Sequence, residues 1–405
     1  MRRVIAILLI LSLSLALFSG CKSEDENKLP ADYGTYGVEF ARRLATEYPY
    51  RKAYTVQETL AGSMIKSEFE ALGYEVQTQE FRGSEGFASN NYIAVHNGAG
   101  FYSKNEDTGE YVPTERYIIV GAHYDSKYTR EELDAFNAKH GTEYEYDGIN
   151  DNASGVAALM TCAKEINEYN TMGFTVIFVA FGASSDDFAG ARAFYSGLTA
   201  DVRSKTEAMF CIDSIYAGDK IYANSGLNSL VLTRKYQMRR KLYQSYDVAY
   251  DNSLYSTYGF NLLYNESRIQ TDLNGDDNAD IYSEVSLNKS DYIPFDNGKI
   301  PIVFFDSYDY NFKTIEEMHD TKNLDLQAFE GMIRGTYLDS MATLDPILIT
   351  EESDVLQTRI NCIAFIIIGV GMKGSDTALT YTEYMEALES ERYTEETSAS
   401  VEGSV

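Results

Sequence analysis

The chain has 405 residues, 44% of them apolar, enough to bury at least one large core. Its 34 basic side chains against 62 acidic ones give a formal charge of -28, which argues against nucleic acid as a partner. Acidity of this kind fits a solvated surface and only secondarily a preference for cationic substrates.

Arg2 and Arg3 precede an apolar run from Val4 to Phe18, followed by Ser19, Gly20 and Cys21. A basic start, an apolar stretch and small residues mark residues 1–20 as a secretory signal. The residues before Cys21 are similar to a lipobox, in which the cysteine carries lipid and becomes the mature N-terminus; an ordinary signal peptide or short anchor is the alternative. The expectation is an extracytoplasmic protein held to a bacterial-type cell membrane through this lipid only, with residues 21–32 as a tether. Losing residues 1–20 removes two arginines and no acid, so 34 − 2 = 32 basic side chains face 62 acidic ones, a formal charge of −30. Cys162, Cys211 and Cys362 then remain, without metal-type spacing, and are expected to be buried free thiols.

Phe40, Leu44 and Tyr48, and then Leu60, Met64, Ile65, Phe69 and Leu72, recur at helical spacing and predict two helices parted near Pro49. Strands are expected at 74–81, 91–96 and 116–120, with Gly/Ser/Asn-rich loops between them. A charged insertion, Lys127 to Asp147, carries a short helix over 130–139. A helix over 153–169, a buried strand over 174–181, a helix over 189–198, a strand over 208–212 and a helix over 230–246 follow, then a strand over 300–305 and a helix over 324–344. Alternating strands and helices predict one three-layer α/β/α domain, about residues 33–348, with a mixed, mostly parallel central sheet. The run Ile360 to Met372 is too short for a bilayer and reads as a buried strand or helix. The Glu/Ser/Thr-rich tail from Glu383, the end of a C-terminal extension over 349–405, is expected to be disordered.

Two polar clusters stand out: Gly121-Ala122-His123-Tyr124-Asp125-Ser126 directly after a strand, and Gly148-Ile149-Asn150-Asp151-Asn152-Ala153-Ser154-Gly155 before a helix. The carboxyl ends of strands in an α/β sheet converge on one crevice, and zinc takes His nitrogen and Asp or Glu oxygen. His123, Asp151, Asp213 and His319 all fall at such positions, with Asp125 placed to orient His123. Singly, an Asp before a helix is more often a cap than a ligand, and His319 reads equally as a surface loop residue; together they point to a metal cleft.

From Glu39 to Leu344 the sequence resembles metallopeptidase family twenty-eight, the co-catalytic zinc exopeptidases. The resemblance rests on Tyr48-Pro49-Tyr50-Arg51, the His123 and Asp151 clusters, Phe181-Gly182-Ala183, Ile212-Asp213, Ser290-Asp291-Tyr292-Ile293-Pro294-Phe295 and His319. It implies a single α/β domain with two zinc ions bridged by Asp151, His123 and Asp213 completing one site and His319 with a glutamate the other. It further implies removal of N-terminal residues from peptides by metal-activated water. Where the family has a general-base glutamate and a ligand glutamate, this chain has Ser184 and Ser185. A two-residue slip of that loop would put Asp186 and Asp187 in their place; otherwise the cleft holds one metal or none. The alternatives to an aminopeptidase are a non-catalytic surface protein that binds peptides and a glutaminyl cyclase-like transferase.

Asp272, Asn274, Asp276, Asn278 and Asp280 alternate like an EF-hand or dockerin-type calcium loop. Asp277 stands where that loop has glycine and Ser283 where it has glutamate, so calcium competes with a plain acidic surface loop.

Overall fold

Four apolar runs become the middle of one sheet. In chain order the sheet strands are β1 (Val76–Arg82), β2 (Ala88–His96), β3 (Tyr117–His123), β4 (Thr175–Phe181), β5 (Thr206–Ile212), β6 (Lys220–Asn224), β7 (Leu262–Leu263) and β8 (Ile302–Tyr308), ordered β1-β2-β4-β3-β5-β8-β6-β7. The pairs β4/β3, β3/β5, β5/β8 and β6/β7 are parallel, and β1/β2, β2/β4 and β8/β6 are antiparallel. The sheet is thus mixed and mostly parallel.

The structure is a computed structural model that describes residues 28–402 except 170, 231–234, 266–269, 272–279, 282–283, 312–316 and 352. The signal segment, Cys21, Asp272, Asn274, Asp276 and Asn278 lie outside the described residues. Asp280 falls in a two-residue strand, Asp280–Ile281, paired with Gln270–Thr271.

The central strands are buried on both faces, as parallel strands covered by helices must be. Ile118, Val120 and Ala122 of β3 join one apolar cluster, while Tyr117 and Ile119 join the other. β4 divides the same way, with Val176 and Phe178 on the first face and Ile177 and Val179 on the second. The first face is covered by α1 (Tyr36–Glu47), α2 (Val56–Ala71) and α4 (Ser154–Glu165). The second takes α5 (Ala189–Gly197) through Ala191 and Phe194. Thr55 caps α2 by accepting from Glu58 N. Thr129 and Glu132 form a reciprocal capping box on α3 (Arg130–His140), the helix of the charged insertion. Its Leu133 and Phe136 pack with Tyr128, Tyr146 and Tyr337.

Three expectations change. The segment 324–344 is no helix: a short 3-10 turn at Leu324–Leu326 gives way to turns, and helix resumes only at α7 (Met341–Leu348). Glu330, Gly331 and Gly335 take positive φ, and the Asp320 carboxylate accepts from Ile333 N and Arg334 N, so the backbone there serves a loop. Next, the run Ile360 to Met372, expected as a buried strand or helix, is a buried helix, and it carries the core past 348. α8 (Val355–Met372) buries Leu356, Ile360, Ile363 and Ile366 in the first cluster, packed between α4, α1 and α6 (Lys235–Asp251). By length and composition α8 is the one helix among the described residues able to cross a bilayer, yet most of it is buried in the fold. Last, the tail is helical, α9 (Tyr381–Glu402), where Thr380 and Glu383 exchange capping bonds and Tyr384 stacks on Tyr102. Cys162, Cys211 and Cys362 are free and buried.

Because α8 supplies core side chains worth about 1.5–3 kcal/mol each, a chain ending at Leu348 is expected to lose cooperative unfolding in urea. One ending at Thr380 should keep a single transition.

Candidate metal centre

The chain passes from β3 through α4 to β4 on one side of β3, and then to β5 on the other side. This reversal opens a crevice at the carboxyl ends of the strands. His123 ends β3, Ser184 follows β4 and Asp213 follows β5. The fourth wall, the loop of Asp151, is placed by two asparagines. Asn150 Oδ1 accepts from Tyr216 N and Ala217 N, and Asn152 donates to Ile212 O at 2.9 Å while accepting from Ser214 N at 3.0 Å. The buried Asp339 carboxylate accepts from Asn150 N and Asp151 N at 2.8 and 2.9 Å. Behind the crevice, the buried Arg51 guanidinium donates to the carbonyls of Tyr48, Tyr124, Asp147 and Gly148.

His123 Nε2 lies 3.2 Å from Asp151 Oδ1 and 3.4 Å from Asp213 Oδ1. One ligand atom from each of the three residues falls within 4.8 Å of the others. His123 Nδ1 is 3.1 Å from the Asp125 carbonyl, which it meets as a donor when Nε2 offers its lone pair to the cluster. Burial disfavours the charged imidazole, but Asp213, Asp125 and Asp151 outweigh it and hold its pKa well above the usual value. The Asp213 carboxyl is held far below the carboxylate range: burial opposes this, and Arg334 and His123 overcome it. Ser290 Oγ donates to Asp213 Oδ2 at 2.6 Å, and Arg334 pairs with the same oxygen. A crevice of 220 Å³ opens on this group, lined also by Lys127, Phe188 and Lys289. The chemistry available is that of a small, acidic cation site with one imidazole.

The model of peptidase family M28 matches residues 106–334, which is 229 of the 405 residues. The chain belongs to peptidase family M28. It is 26% identical over 210 residues to the alkaline phosphatase isozyme conversion protein of Escherichia coli K12, a match that spans 52% of this chain and 59% of that relative. Among solved structures it is similar to BSAP, a zinc aminopeptidase from Bacillus subtilis, with a TM-score of 0.53, 12% identity and coverage of 86% of this chain and 98% of that one. It is also similar to Fimbriiglobus ruber glutaminyl cyclase, with a TM-score of 0.54, 16% identity and coverage of 86% and 97%. At these identities the two structures bear on the fold.

Within this M28 chain the predicted site residues divide. His123, Asp151 and Asp213 come together, and Asp125 lies against His123. Ser184, buried, and Ser185, exposed, occupy the loop after β4 beside the crevice. Ser184 N, Ser185 N and Ser185 Oγ all donate to the Asp125 carboxylate, at 2.8, 3.1 and 2.8 Å, and Ser184 Oγ donates to Asp291 Oδ2 at 2.9 Å. The structure does not bring Asp186 or Asp187 to the cluster. Asp186 accepts from Tyr54 and from Ser84 N and Oγ, and Asp187 pairs with Arg192. With no slip of the loop, the substitute carboxylate pair does not form. His319 stands outside the three-residue group; its carbonyl accepts from Asp309 N at 3.0 Å.

Sequence reasoning missed Arg334, Asp291, Asp339 and the use of Arg51. No spacing marks Arg334 among 34 basic residues; Asp291 and Arg51 stood inside quoted motifs without a role. Asp291 is buried and pushed up to about 7, chiefly by desolvation.

Two outcomes test this construction. Arg51→Met would leave four carbonyls without their donor, those of Tyr124 and Gly148 in buried bonds, and is expected to cost at least about 3 kcal/mol in denaturant unfolding. Glu58, buried beside Asp125 and accepting from Ala183 N, is raised to about 7, first by desolvation. A raised acid stabilises the fold below its unfolded pKa and loses that contribution as pH rises through the folded value. Metal-free protein should therefore lose stability from about pH 4.5 through about 7, and Glu58→Gln should flatten that slope.

Proposed function

We propose that the chain is an aminopeptidase-type hydrolase that holds one zinc ion at His123, Asp151 and Asp213 and removes the first residue from peptides. The observation that carries the reading is the convergence of those three ligand atoms in a crevice where parallel strands end. The donor set fits zinc, since one imidazole and two carboxylates make a three-protein-ligand site with a position left open. Bound there, the ion would polarise a carbonyl and lower the pKa of water. The family and the fold of the Bacillus subtilis zinc aminopeptidase support the choice of ion and reaction.

The chain's own groups set the limits of that chemistry. Asp125 holds the His123 ring in place through Nδ1. Ser184 lines the crevice with its hydroxyl committed to Asp291, and a neutral hydroxyl does not take a proton near pH 7. Loss of a positioned base costs on the order of 10² to 10⁴ in rate, so turnover is expected to be slow. A second reading, peptide binding without turnover, is favoured by the same two serines. The extracytoplasmic, lipid-anchored location at Cys21 and calcium at Asp272 to Asp280 are proposed on the sequence pattern alone.

Zinc-loaded protein is expected to cleave aminoacyl arylamides above a His123→Ala control, and Ser184→Glu to raise the rate at least tenfold. Equal rates for the unmutated protein and His123→Ala, with peptide binding retained, would select the second reading.

A further inference from the structure

We infer that the cleft takes a single divalent cation because Arg334 supplies its second positive charge. The inference rests on the reading of His123, Asp151 and Asp213 as a cation site. It goes beyond that reading by assigning a role to a residue that no sequence motif marked.

Arg334 is built into the cluster. Its guanidinium pairs with Asp213 Oδ2, the carboxylate oxygen other than the one that faces His123. Its Nε donates to Ser214 Oγ at 2.9 Å, and that hydroxyl donates to Asp213 Oδ1 at 2.9 Å, so the contact is closed on both sides. Asp151 and Asp306 add attraction from further round the cleft. The side chain is only 18% exposed. Its main chain is held as firmly: Asp320 Oδ2 accepts from Arg334 N at 2.8 Å and from Ile333 N at 2.6 Å, and Gly335 turns the chain away in the left-handed region.

A guanidinium keeps its proton throughout the physiological range, so this charge is permanent. Among the groups in direct contact, the carboxylates of Asp125, Asp151 and Asp213 against the one guanidinium of Arg334 leave two negative charges, which one dication neutralises. A second dication would need further ligands. Ser185 spends its hydroxyl proton on Asp125, so the loop after β4 offers no carboxylate to a second ion. That ion would also meet the repulsion of Arg334. The sequence expectation of His319 and a glutamate around a second metal is therefore replaced by one ion beside a fixed cation.

The test is zinc titration of the metal-stripped full chain, read by calorimetry and by metal analysis after desalting. The unmutated protein is expected to bind one equivalent. Arg334→Met removes a like charge from the neighbourhood of the ion and should tighten zinc about tenfold, whereas Arg334→Lys keeps the charge and should stay within about threefold of the parent. Two equivalents in the unmutated protein, or equal affinity in the Met and Lys variants, would overturn the inference while leaving a cation site at His123. No zinc at all, or affinity indifferent to His123→Ala, would overturn the reading of the cation site beneath it. Circular dichroism checks that the variants fold; should Arg334→Met fail to fold, the stoichiometry of the unmutated protein decides.

Discussion

Everything at the crevice depends on a guanidinium whose hydrogen bonds go to main-chain carbonyls. Arg51 is fully buried, and it offers its donors to Tyr48, Tyr124, Asp147 and Gly148. Desolvating that cation is costly unless its donors are met, and the carbonyls that meet them come from three separate stretches. Two of those stretches carry the centre: Tyr124 follows His123, and Gly148 opens the loop of Asp151. The clamp therefore fixes the distance between the imidazole and the first carboxylate before any ion binds. Asn150 and Asn152 complete the frame by holding the Asp151 loop to the strand that delivers Asp213 and the loop after it, and Asp339 holds it to the segment before α7.

The electrostatics of the site are self-consistent around the serine pair. Two glutamates after β4 would stand beside Asp125 and near Asp291, adding negative charge to a crevice already rich in it. With Ser184 and Ser185 there, the hydroxyl and amide protons satisfy those acids. Fewer anions call for fewer cations, and Arg334 already provides one. The departures from the family pattern, at Ser184 and Ser185, thus form one change of charge arrangement.

The central strands were legible because burial on both faces leaves short continuous apolar runs such as Phe174 to Phe181, whereas the longer run Ile360 to Met372 left strand and helix open until the fold showed a buried helix. The ends of those strands were legible too, which is why His123, Asp151 and Asp213 could be picked out. Periodicity failed over 324–344, where apolar residues recur at helical spacing but positive φ at Gly331 and Gly335 and the demands of Asp320 turn the chain into a loop. Composition failed in the tail, because a Glu/Thr-rich segment gains a helix start from Thr380 and a tertiary anchor from Tyr102. Asp186 and Asp187 show the limit for side chains: the sequence places them two residues from the expected position, and only the fold shows Asp186 turned toward Tyr54 and Ser84.

By itself the sequence determined the α/β class, the family resemblance, most of the central strands and the covering helices, and a candidate cluster at His123, Asp151 and Asp213, since each is written in local pattern and spacing. The tertiary structure alone decided what surrounds them. Whether Ser184 meets Asp291, whether His319 reaches the cluster and whether Arg334 enters it depend on loops far apart in sequence. Their positions are set by buried hydrogen bonds and by the balance of charge in a desolvated crevice, and neither leaves a local signature.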